Sequence, residues 1–356
     1  MDKIRYAIIG FGGIAENRVA KEGYGCDKSR FNGLEKAVLT GATDMNPARK
    51  EAAEALGLKW YDNMEAILAD ADIDAVYIAT NNASHAALAC AALEAGKHVI
   101  VEKPAATSVA DAQKMVDLAA AKGLSLSVDH MMVNNAWNIK AQEVMAAGTL
   151  GTVNDSCFHM EFAYGYDPAE AATWRCSKIE EMGGPIGDVA SHCFYVAEFV
   201  FGKKIAKLAA VYYPKIVQMV AEDGAYIKFF FEDGTQGSVR ASFSELRGGL
   251  GGTLTNLGFE LYGDKAVLRS YGSMFQLSGH DGEPVKMRLE LDDLGNVSEV
   301  APAKIRNIYQ TLIEGHAASI QAGKPLNAED AVHNLALCAA SHESAQNGGK
   351  IVGVAD

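Results

Sequence analysis

The sequence predicts two domains of different class. The first, residues 1–128, is an α/β domain with a parallel sheet, and the second, residues 129–356, is an α+β domain with an antiparallel sheet. The chain has 356 residues, which is more than a single domain usually contains. Short apolar runs alternate with helical stretches up to about residue 128, and strands separated by turn signals dominate after residue 204.

The composition excludes several classes of partner. The chain is 49% hydrophobic and 22% charged, as is typical of a globular protein with a full core. Its net charge of −13 argues against nucleic acid or an anionic membrane as partner. No apolar run reaches the roughly 20 residues of a membrane span, and the N-terminus leads into a strand without a signal peptide. We therefore expect a soluble, cytoplasmic protein.

The six cysteines are scattered along the chain, and no two of them form a C-x-x-C pair. In a chain of this size, such a pattern indicates reduced thiols rather than a disulfide framework or a zinc site. We therefore expect no bound metal.

The first strand and the turn after it carry a dinucleotide-binding pattern. The apolar run 4–9 is followed by Gly10-Phe11-Gly12-Gly13-Ile14-Ala15, which has the spacing G-x-G-x-x-A. In such a turn the glycines allow a tight bend and a close approach of the backbone to a pyrophosphate, and the small last residue packs helix on strand. The N-terminus of the next helix then faces the phosphates. The alternative is a glycine-rich turn that binds nothing.

The second strand, 37–43, ends in Asp44, after a segment, 21–34, that resembles an insertion. An acidic residue at this tip accepts hydrogen bonds from the ribose hydroxyls and repels a 2′-phosphate, which favours NAD over NADP. Asp44 could instead cap the helix that begins at Pro47, and the nearby Arg49 keeps NADP open.

Two later strands of this domain end in polar loops. Helices over 47–56, 64–69, 86–95 and 108–122 alternate with strands near 59–61, 74–80, 98–101 and 124–128. Because ligands bind at the carboxyl edge of an open α/β sheet, we expect cofactor contacts from the residues in these loops: Thr80, Asn81, Asn82, His85, Glu102 and Lys103. Lys103, followed by Pro104, is also a candidate catalytic group, and a solvated surface charge is the alternative.

In the second domain, a glycine-rich segment, 183–187, precedes Asp188 and His192. Residues four apart share one face of a helix, and a carboxylate beside an imidazole holds its tautomer and raises its basicity. The alternative for His192 is a core residue whose hydrogen bonds are satisfied within the protein.

The second domain is expected to contain the following elements: helix 135–147, strands 153–163, 205–213, 225–232, 236–243, 256–262, 265–269, 273–277 and 285–291, and helices 304–322 and 328–347. The last two helices are expected to pack back on the first domain.

These motifs together resemble the Gfo/Idh/MocA family, which contains glucose–fructose oxidoreductases, inositol dehydrogenases and MocA proteins. The matching pieces, in chain order, are G-x-G-x-x-A, Tyr77-Ile78-Ala79-Thr80 with Asn82 and His85, the run 95–104, Trp174-Arg175, and Gly183-Gly184 with Asp188 and His192. The chain departs from the family at Asn81, where proline is common, and at Val133-Asn134-Asn135-Ala136, where an arginine often precedes Asn-Pro. The resemblance implies a Rossmann domain followed by an open, mostly antiparallel sheet domain for substrate binding and oligomerisation.

The resemblance also implies an activity. The family's catalytic residues fall on Lys103, Asp188 and His192, and we expect these three with Trp174 and Arg175 to bind substrate. The implied enzyme is an NAD(P)-dependent dehydrogenase that transfers a hydride between nicotinamide and a secondary alcohol of a sugar, glycoside or cyclitol. His192 would act as the base with Asp188 orienting it, and Lys103 would hold the oxygen. Which of Lys103 and His192 accepts the proton stays open.

Two alternative functions remain, and the sequence also predicts an oligomeric state. The chain could be an NAD-dependent glycoside hydrolase or lyase that works by transient oxidation and elimination, or a non-catalytic NAD-binding sensor. Strands 225–231 and 235–243 are too apolar for a fully solvated sheet, so we expect a homodimer or homotetramer that assembles through the exposed sheet face.

Overall fold

The computed structural model describes residues 2–246, 257–274 and 287–354. Within them the chain forms two compact units. The first unit contains residues 2–134 and 306–332, and the second contains residues 135–246, 257–274, 287–305 and 333–354. The end of the first unit therefore differs from the predicted boundary at residue 128, and this unit includes a segment that the prediction placed in the second domain.

The strands in chain order are β1 (Ile4–Ile9), β2 (Ala37–Thr43), β3 (Lys59–Trp60), β4 (Ala75–Ile78), β5 (His98–Val101), β6 (Leu126–Val128), β7 (Val153–Glu161), β8 (Ile205–Tyr212), β9 (Gly224–Phe231), β10 (Gln236–Ser242), β11 (Leu257–Gly263), β12 (Val267–Tyr271), β13 (Arg288–Asp293), β14 (Asn296–Glu299) and β15 (Val352–Gly353).

The α-helices are α1 (Lys50–Ala55), α2 (Met64–Ala69), α3 (His85–Glu94), α4 (Val109–Lys122), α5 (Ala136–Ala146), α6 (Pro168–Ala171), α7 (Trp174–Ser177), α8 (Ser191–Phe201), α9 (Ile308–Gln321) and α10 (Glu329–Gln346). Two π-helices cover Ala15–Gly23 and Ile186–Ala190, and short 3₁₀ turns include Pro47–Arg49, Asn82–Ser84 and Met131–Asn134. Among the described residues, none of the helices combines the length and the apolar character that crossing a bilayer requires.

The first unit is built on a parallel sheet with the strand order β3-β2-β1-β4-β5-β6. This is the order of a Rossmann sheet, in which the connections change direction between β1 and β4. Tyr77 and Ile78 on β4 are 0% exposed, as expected for a central strand covered on both faces. The loops that follow β1, β2, β4 and β5 share one edge of the sheet. The predicted Rossmann domain is confirmed.

Side-chain caps set several helix ends. The side chains of Asn63, Ser108 and Asn135 accept backbone N–H bonds at the starts of α2, α4 and α5. Gly123 and Gly202, each with φ of +64°, end α4 and α8. These local signals explain why the sequence pattern located α2, α4 and α5 to within about a residue.

The second unit is built on a mixed sheet, which among the described residues has the order β14-β13-β12-β11-β7-β10-β9-β8-β15. β7 and β10 pair in parallel, and the other neighbours pair antiparallel. Helices α5 and α8 and the π-helix Ile186–Ala190 lie against one face. The ring of Phe158 packs against those of Phe229 and Phe259 in the core, and all three are 0% exposed. The predicted mostly antiparallel domain is confirmed.

Some predicted elements differ from the structure. Residues 273–274 of the predicted strand 273–277 form a turn, and 275–277 lie outside the described residues, as do residues 256, 285 and 286 of two other predicted strands. The sequence pattern missed β14 and β15. The first π-helix runs to Gly23, so the beginning of the predicted insertion 21–34 is helical.

The last two α-helices belong to different units. α9 packs against β1, β2 and the first π-helix in the first unit. From His333 onward α10 belongs to the second unit, which differs from the prediction. The reason lies in its polar contacts with β8: Ser344 Oγ accepts the Ala210 N–H at 2.8 Å, and the Tyr212 hydroxyl contacts His342 Nδ1 at 2.8 Å.

Candidate active site

The turn after β1 has the geometry of a phosphate-binding loop. Gly10 has φ of +90°, and a Cβ there would lie 2.7 Å from the Ala79 carbonyl oxygen, so the turn requires glycine. A Cβ at Gly12 or Gly13 would meet no atom within 4 Å. The helix begins here, because the Glu16 N–H bonds the Gly12 carbonyl at 2.9 Å, and the first N–H groups of a helix have no helical partners. This open space at a helix N-terminus fits a dinucleotide pyrophosphate.

The remaining side chains of this turn divide between the core and the surface. Phe11 and Ala15 are 0% and 1% exposed, whereas Ile14 is 51% exposed. Phe11 and Ala15 therefore pack the turn onto the sheet, and any contact that they make with a cofactor comes from the backbone. Ile14 presents its side chain to solvent beside Gly13.

Asp44 lines a cavity at the same sheet edge. The cavity has a volume of about 560 Å³, and its lining includes Gly10, Gly12, Asp44, Thr80, Asn81 and Ser84. Asp44 Oδ1 accepts the Asn46 N–H at 2.8 Å, and Asn46 itself caps the turn that begins at Pro47. The alternative interpretation of Asp44 as the helix cap is therefore wrong. Its carboxylate lies where a Rossmann domain binds the ribose hydroxyls.

Arg49, which left NADP as an alternative cofactor in the sequence analysis, is bound by other groups of the protein. Its Nε donates to the Phe11 carbonyl at 2.6 Å, and a terminal nitrogen pairs with the Glu16 carboxylate. Lys21 Nζ pairs with the other oxygen of Glu16 at 2.6 Å. The hydrogen bonds from Lys21 and Arg49 lower the pKa of Glu16. A 2′-phosphate would have to compete with this carboxylate for Arg49, which agrees with Asp44 in favouring NAD.

The loop after β4 carries a compact set of hydroxyl and amide groups. The Thr80 and Ser84 hydroxyl oxygens lie 2.7 Å apart, and Ser84 Oγ donates to the Asn81 carbonyl at 2.8 Å. Asn82 is buried, with 7% exposure. The structure therefore places Thr80 and Asn81, two of the expected cofactor contacts, in the cavity lining and sets Asn82 deeper in the loop.

His85 has a different position from the predicted cofactor contact. Its side chain is 0% exposed, and its Nδ1 and Nε2 lie 2.7 Å and 3.2 Å from the Pro104 and Thr80 carbonyl oxygens. Burial lowers its pKa. Because both ring nitrogens contact the backbone of neighbouring loops, the structure favours a role in fastening the Thr80 loop to the loop that carries Lys103.

Lys103 lies at the carboxyl end of β5. The Glu102 N–H donates to the Ile78 carbonyl at 2.9 Å and so extends the sheet pairing to the residue before Lys103. The His85 ring holds Pro104 on the other side, and the Lys103–Pro104 peptide bond is cis. The lysine itself is half-buried. The backbone on both sides of Lys103 is thus held at the carboxyl edge of the parallel sheet, where the sequence predicted this residue.

Glu102 belongs to a buried acidic cluster that the sequence did not reveal. The Tyr77 hydroxyl donates to Asp129 Oδ2 at 2.5 Å and lies 3.2 Å from Glu102 Oε1. Burial, reinforced by the charge of Glu102, raises the pKa of Asp129 well above its usual range. Burial also raises the pKa of Glu102, and the Lys103 charge opposes this. The Glu102 carboxyl, predicted as a cofactor contact, thus interacts with Tyr77 and Asp129 beneath the Lys103 loop.

In the second unit, the glycine-rich segment folds into a tight turn that leads into a π-helix. A Cβ at Gly187 would lie 2.2 Å from the Met182 carbonyl oxygen, and Gly184 has φ of +83°. Glu222 Oε1 accepts the Ile186 N–H at 2.9 Å and so caps the π-helix. Burial raises the pKa of Glu222 to about 7.

The π-helix alters the predicted relation between Asp188 and His192. Asp188 lies within the π-helical segment, and His192 is the second residue of α8. The i, i+4 argument assumes a regular α-helix, whereas π-helical turns are wider and are frequent at functional sites. Both side chains are buried, at 5% and 4% exposure.

Asp188 forms an ion pair with Arg175. Arg175 Nε donates to Asp188 Oδ2 at 2.6 Å, and the charge of Asp188 raises the pKa of Arg175. The guanidinium carbon lies 5.3 Å from the Trp174 ring centre and 5.4 Å from that of Tyr164, within cation–π range. The structure therefore brings together three predicted substrate-site residues, Trp174, Arg175 and Asp188, and adds Tyr164.

His192 has a neighbour that the sequence did not suggest. Its Nδ1 lies 2.5 Å from the Tyr195 hydroxyl, three residues further along α8. This contact can fix the orientation of the ring and its tautomer. Tyr195 could have been found from the i, i+3 spacing on a helix, whereas Glu222 and Asp129 carry no local signal because they are distant in sequence from their partners.

Comparison with known proteins finds two family models that match consecutive parts of the chain. Residues 4–130 match the GFO_IDH_MocA model, described as an oxidoreductase family with an NAD-binding Rossmann fold. Residues 138–269 match the GFO/IDH/MocA C-terminal domain.

Two curated relatives carry sugar-related names. A 1,5-anhydro-D-fructose reductase from Ensifer adhaerens is 29% identical over 297 residues, which cover 80% of this chain and 81% of that protein. A levoglucosan dehydrogenase from Pseudarthrobacter phenanthrenivorans is 31% identical over 160 residues, which cover 43% of this chain and 40% of that protein.

Solved structures support the fold over the whole chain. An aldose-aldose oxidoreductase from Caulobacter crescentus superposes with a TM-score of 0.84 at 21% identity, covering 99% of each chain. A levoglucosan dehydrogenase in complex with NADH and levoglucosan gives a TM-score of 0.82 at 22% identity, covering 100% of each chain.

Proposed function

Because this chain belongs to the Gfo/Idh/MocA family of NAD-binding oxidoreductases, we propose that it transfers a hydride between NAD and a secondary alcohol of a sugar, glycoside or cyclitol. The observation that carries this proposal is the position of Lys103, held at the carboxyl edge of the NAD-binding sheet by Glu102 pairing and His85. The names of the relatives, an anhydrofructose reductase and a levoglucosan dehydrogenase, support a sugar-like substrate.

The cofactor-binding part of the proposal rests on the first unit. Bound NAD would supply the hydride acceptor or donor. Gly12 and Gly13 would admit the pyrophosphate, because a side chain at either would occupy the open space of the turn. Asp44 would accept hydrogen bonds from the ribose hydroxyls, and Arg49 is engaged by Glu16, so NAD is the proposed cofactor rather than NADP.

The proton chemistry is assigned to Lys103 and His192. Oxidation of an alcohol requires its hydroxyl proton to leave as the C–H bond breaks, so a base must be within reach. We assign this role to His192 Nε2, since the Tyr195 hydroxyl engages Nδ1. Lys103 Nζ would donate a hydrogen bond to the alcohol oxygen and stabilise its developing negative charge.

Trp174 and Arg175 are proposed to bind the sugar, with Asp188 holding Arg175 in position. Asp188 acts as a positioning residue, because its carboxylate holds Arg175 and it precedes His192 by about one turn. Trp174 and Arg175, which lie against each other, would present an aromatic face and hydrogen-bond donors to a polyol.

The test is a substrate screen with the purified chain. Sugars, anhydrosugars, glycosides and inositols are incubated with NAD or NADP, and the absorbance of the reduced cofactor is followed. We expect cofactor reduction with at least one polyol, or its oxidation with the matching ketone. Release of an aglycone without net cofactor reduction would identify the hydrolase or lyase alternative, and no reaction with NAD bound would identify the sensor.

Two variants then test the assigned roles. His192→Ala should lower turnover and change the pH–rate profile, because the remaining groups titrate elsewhere. Asp188→Asn should have the smaller effect of a positioning residue, with a raised KM through the loss of its charge beside Arg175. A His192→Ala enzyme with wild-type turnover and pH profile would remove His192 from the mechanism.

A further inference from the structure

Three potential metal ligands of different chemistry converge on the sheet of the second unit. Cys157 and His159 are two residues apart on β7, so their side chains lie on one face. Glu260 on β11 stands opposite Cys157 in the antiparallel register. We refer to Cys157, His159 and Glu260 as the thiol–imidazole–carboxylate cluster. It lies on the opposite face from the buried side chains of Ser156 and Phe158, which alternate with it along β7.

The ligand atoms of the cluster are close enough to share one ion. The Cys157 sulfur, a His159 ring nitrogen and a Glu260 carboxylate oxygen all lie within 4.8 Å of one another. His159 Nε2 is 2.8 Å from Glu260 Oε2. In a tetrahedral zinc site the metal–ligand distances are about 2.0–2.3 Å, which puts neighbouring ligand atoms roughly 3–4 Å apart. The observed separations, from 2.8 Å between His159 and Glu260 to at most 4.8 Å within the cluster, bracket this spacing.

The imidazole also has the outer neighbour that metal-bound histidines require. His159 Nδ1 is buried and has no hydrogen-bond partner in the described structure, and it lies 3.6 Å from Glu161 Oε2. Glu161 in turn lies 3.3 Å from an Arg240 nitrogen. Metal-bound histidines usually donate the second ring N–H to a carboxylate, which fixes the tautomer and raises the ligand's basicity. With Nε2 on an ion, Nδ1–H would point at Glu161.

The strands make the cluster rigid. β7 lies between β11 and β10 in the sheet and is paired to both along its length. A site built on paired strands keeps its ligands in place in the absence of the ion. In the single chain Cys157 is half-buried and Glu260 is 26% exposed, so an ion can reach the cluster from this face when no second copy covers it.

We propose that Cys157, His159 and Glu260 bind a divalent transition-metal ion of the zinc class, with a fourth position open to water. A thiolate and an imidazole select borderline and soft ions over Mg²⁺ and Ca²⁺, which prefer an all-oxygen set. The ion would replace the direct contact between His159 Nε2 and Glu260 Oε2. The site is separate from the proposed oxidoreductase chemistry, which uses none of these three residues.

The test is metal binding by the untagged chain after dialysis against a chelator. Titration calorimetry with Zn²⁺ should give one ion per chain, and Co²⁺ should give a thiolate-to-cobalt charge-transfer band. Cys157→Ser should remove the band and weaken Zn²⁺ binding by at least tenfold, and Glu260→Gln should weaken binding with the band retained. Glu161→Gln should weaken binding by about 10–100-fold, as outer-neighbour changes do. Mg²⁺ should give no heat above dilution.

Cys90→Ser is the matched control, because Cys90 is another half-buried thiol and its loss should leave Zn²⁺ affinity unchanged. A second measurement uses the wild-type chain: Zn²⁺ should protect Cys157 and not Cys90 from alkylation, as read by mass spectrometry. The proposal is overturned if the wild type binds no Zn²⁺, if Cys157→Ser binds it as tightly as the wild type, or if Cys157 is alkylated at the same rate with and without Zn²⁺. Each readout is independent of oxidoreductase activity.

Discussion

Replacing Asp129 by asparagine is expected to change the pH dependence of stability. The Asp129 side chain is 0% exposed and accepts the Tyr77 hydroxyl at 2.5 Å. Because burial and the neighbouring Glu102 raise its pKa well above the usual range, we expect the folded chain to keep this carboxyl neutral at pH values where an unfolded aspartate is already ionised. In the unfolded chain an aspartate titrates near pH 3.9 and is ionised. Asparagine has the shape of the neutral acid, so Asp129→Asn should change the free energy of unfolding little at pH 4.

The size of the effect follows from proton linkage. A group with a raised folded pKa stabilises the fold fully below its unfolded pKa, and this contribution is lost as the pH rises toward the folded pKa. Above about pH 4 the folded wild type keeps a proton that the unfolded chain has released, so its stability falls by about 1.4 kcal/mol per pH unit. For a unit of this size, 1 kcal/mol corresponds to about 2–4 °C in Tm. The Tm of Asp129→Asn should therefore rise relative to that of the wild type by about 3–6 °C per pH unit between pH 5 and 7.

Differential scanning calorimetry of the wild type and the Asp129→Asn variant at pH 5, 6 and 7 measures this difference. Asp117→Asn is the control, because Asp117 is exposed on α4 and its Tm should follow the wild type at every pH. If the Tm values of the wild type and Asp129→Asn change in parallel over this range, Asp129 is ionised in the folded chain and the reasoning about the buried pair fails.

Four further predictions concern the site and the sheet. Lys103→Ala should lower turnover on a confirmed substrate by a factor on the order of 10²–10³ and leave NAD affinity near that of the wild type; the exposed Lys114→Ala is the control, and unchanged turnover in Lys103→Ala would reassign the catalytic role. Asp44→Ala should narrow the preference for NAD over NADP in equilibrium binding by on the order of tenfold, and a wild type that prefers NADP contradicts this role. Burial raises the pKa of Glu222 to about 7, so the stability that its neutral form contributes is lost as the pH rises from about 4.5 to 7. The Tm of Glu222→Gln should therefore fall less than that of the wild type over this range, and equal declines of the two proteins would contradict this prediction. Light scattering at micromolar concentration should give a dimer or tetramer, which Tyr226→Lys on the exposed sheet face should weaken, and a wild-type monomer would rule out the assembly.

The first unit was largely predictable because its signals are local. Most of its strands are short apolar runs, some of its helix starts have a side-chain cap such as Asn63 or Ser108, and the turn at Gly10 needs glycine for a reason visible in the motif. Asp44 and Lys103 could be placed at one edge because strand ends of a parallel sheet meet there. The strand order then followed from the class of fold.

The remaining features depend on contacts between residues far apart in sequence. Nothing near Tyr77 indicates that its hydroxyl will meet Asp129, and nothing near Ile186 indicates that Glu222 will cap the helix there. The π-helix at Ile186–Ala190 is also invisible to a pattern that assumes 3.6 residues per turn. The scattered cysteines predicted no metal site, because Cys157 and Glu260 become neighbours only through the register of β7 and β11.

The return of residues 306–332 to the first unit has a consequence for how the chain is made. His316 on α9 is 0% exposed, and its Nδ1 lies 2.7 Å from the hydroxyl of Tyr6 on β1. Domains usually fold in order as they leave the ribosome, but here the nucleotide-binding unit lacks a helix until the second unit has been synthesised as far as residue 305. The second unit, which begins at residue 135, therefore emerges while the first still exposes the apolar surface that α9 will cover. Completion of the first unit therefore waits for synthesis of the strands of the second unit that precede α9, and a chain interrupted before residue 308 would leave the ribosome with that surface uncovered.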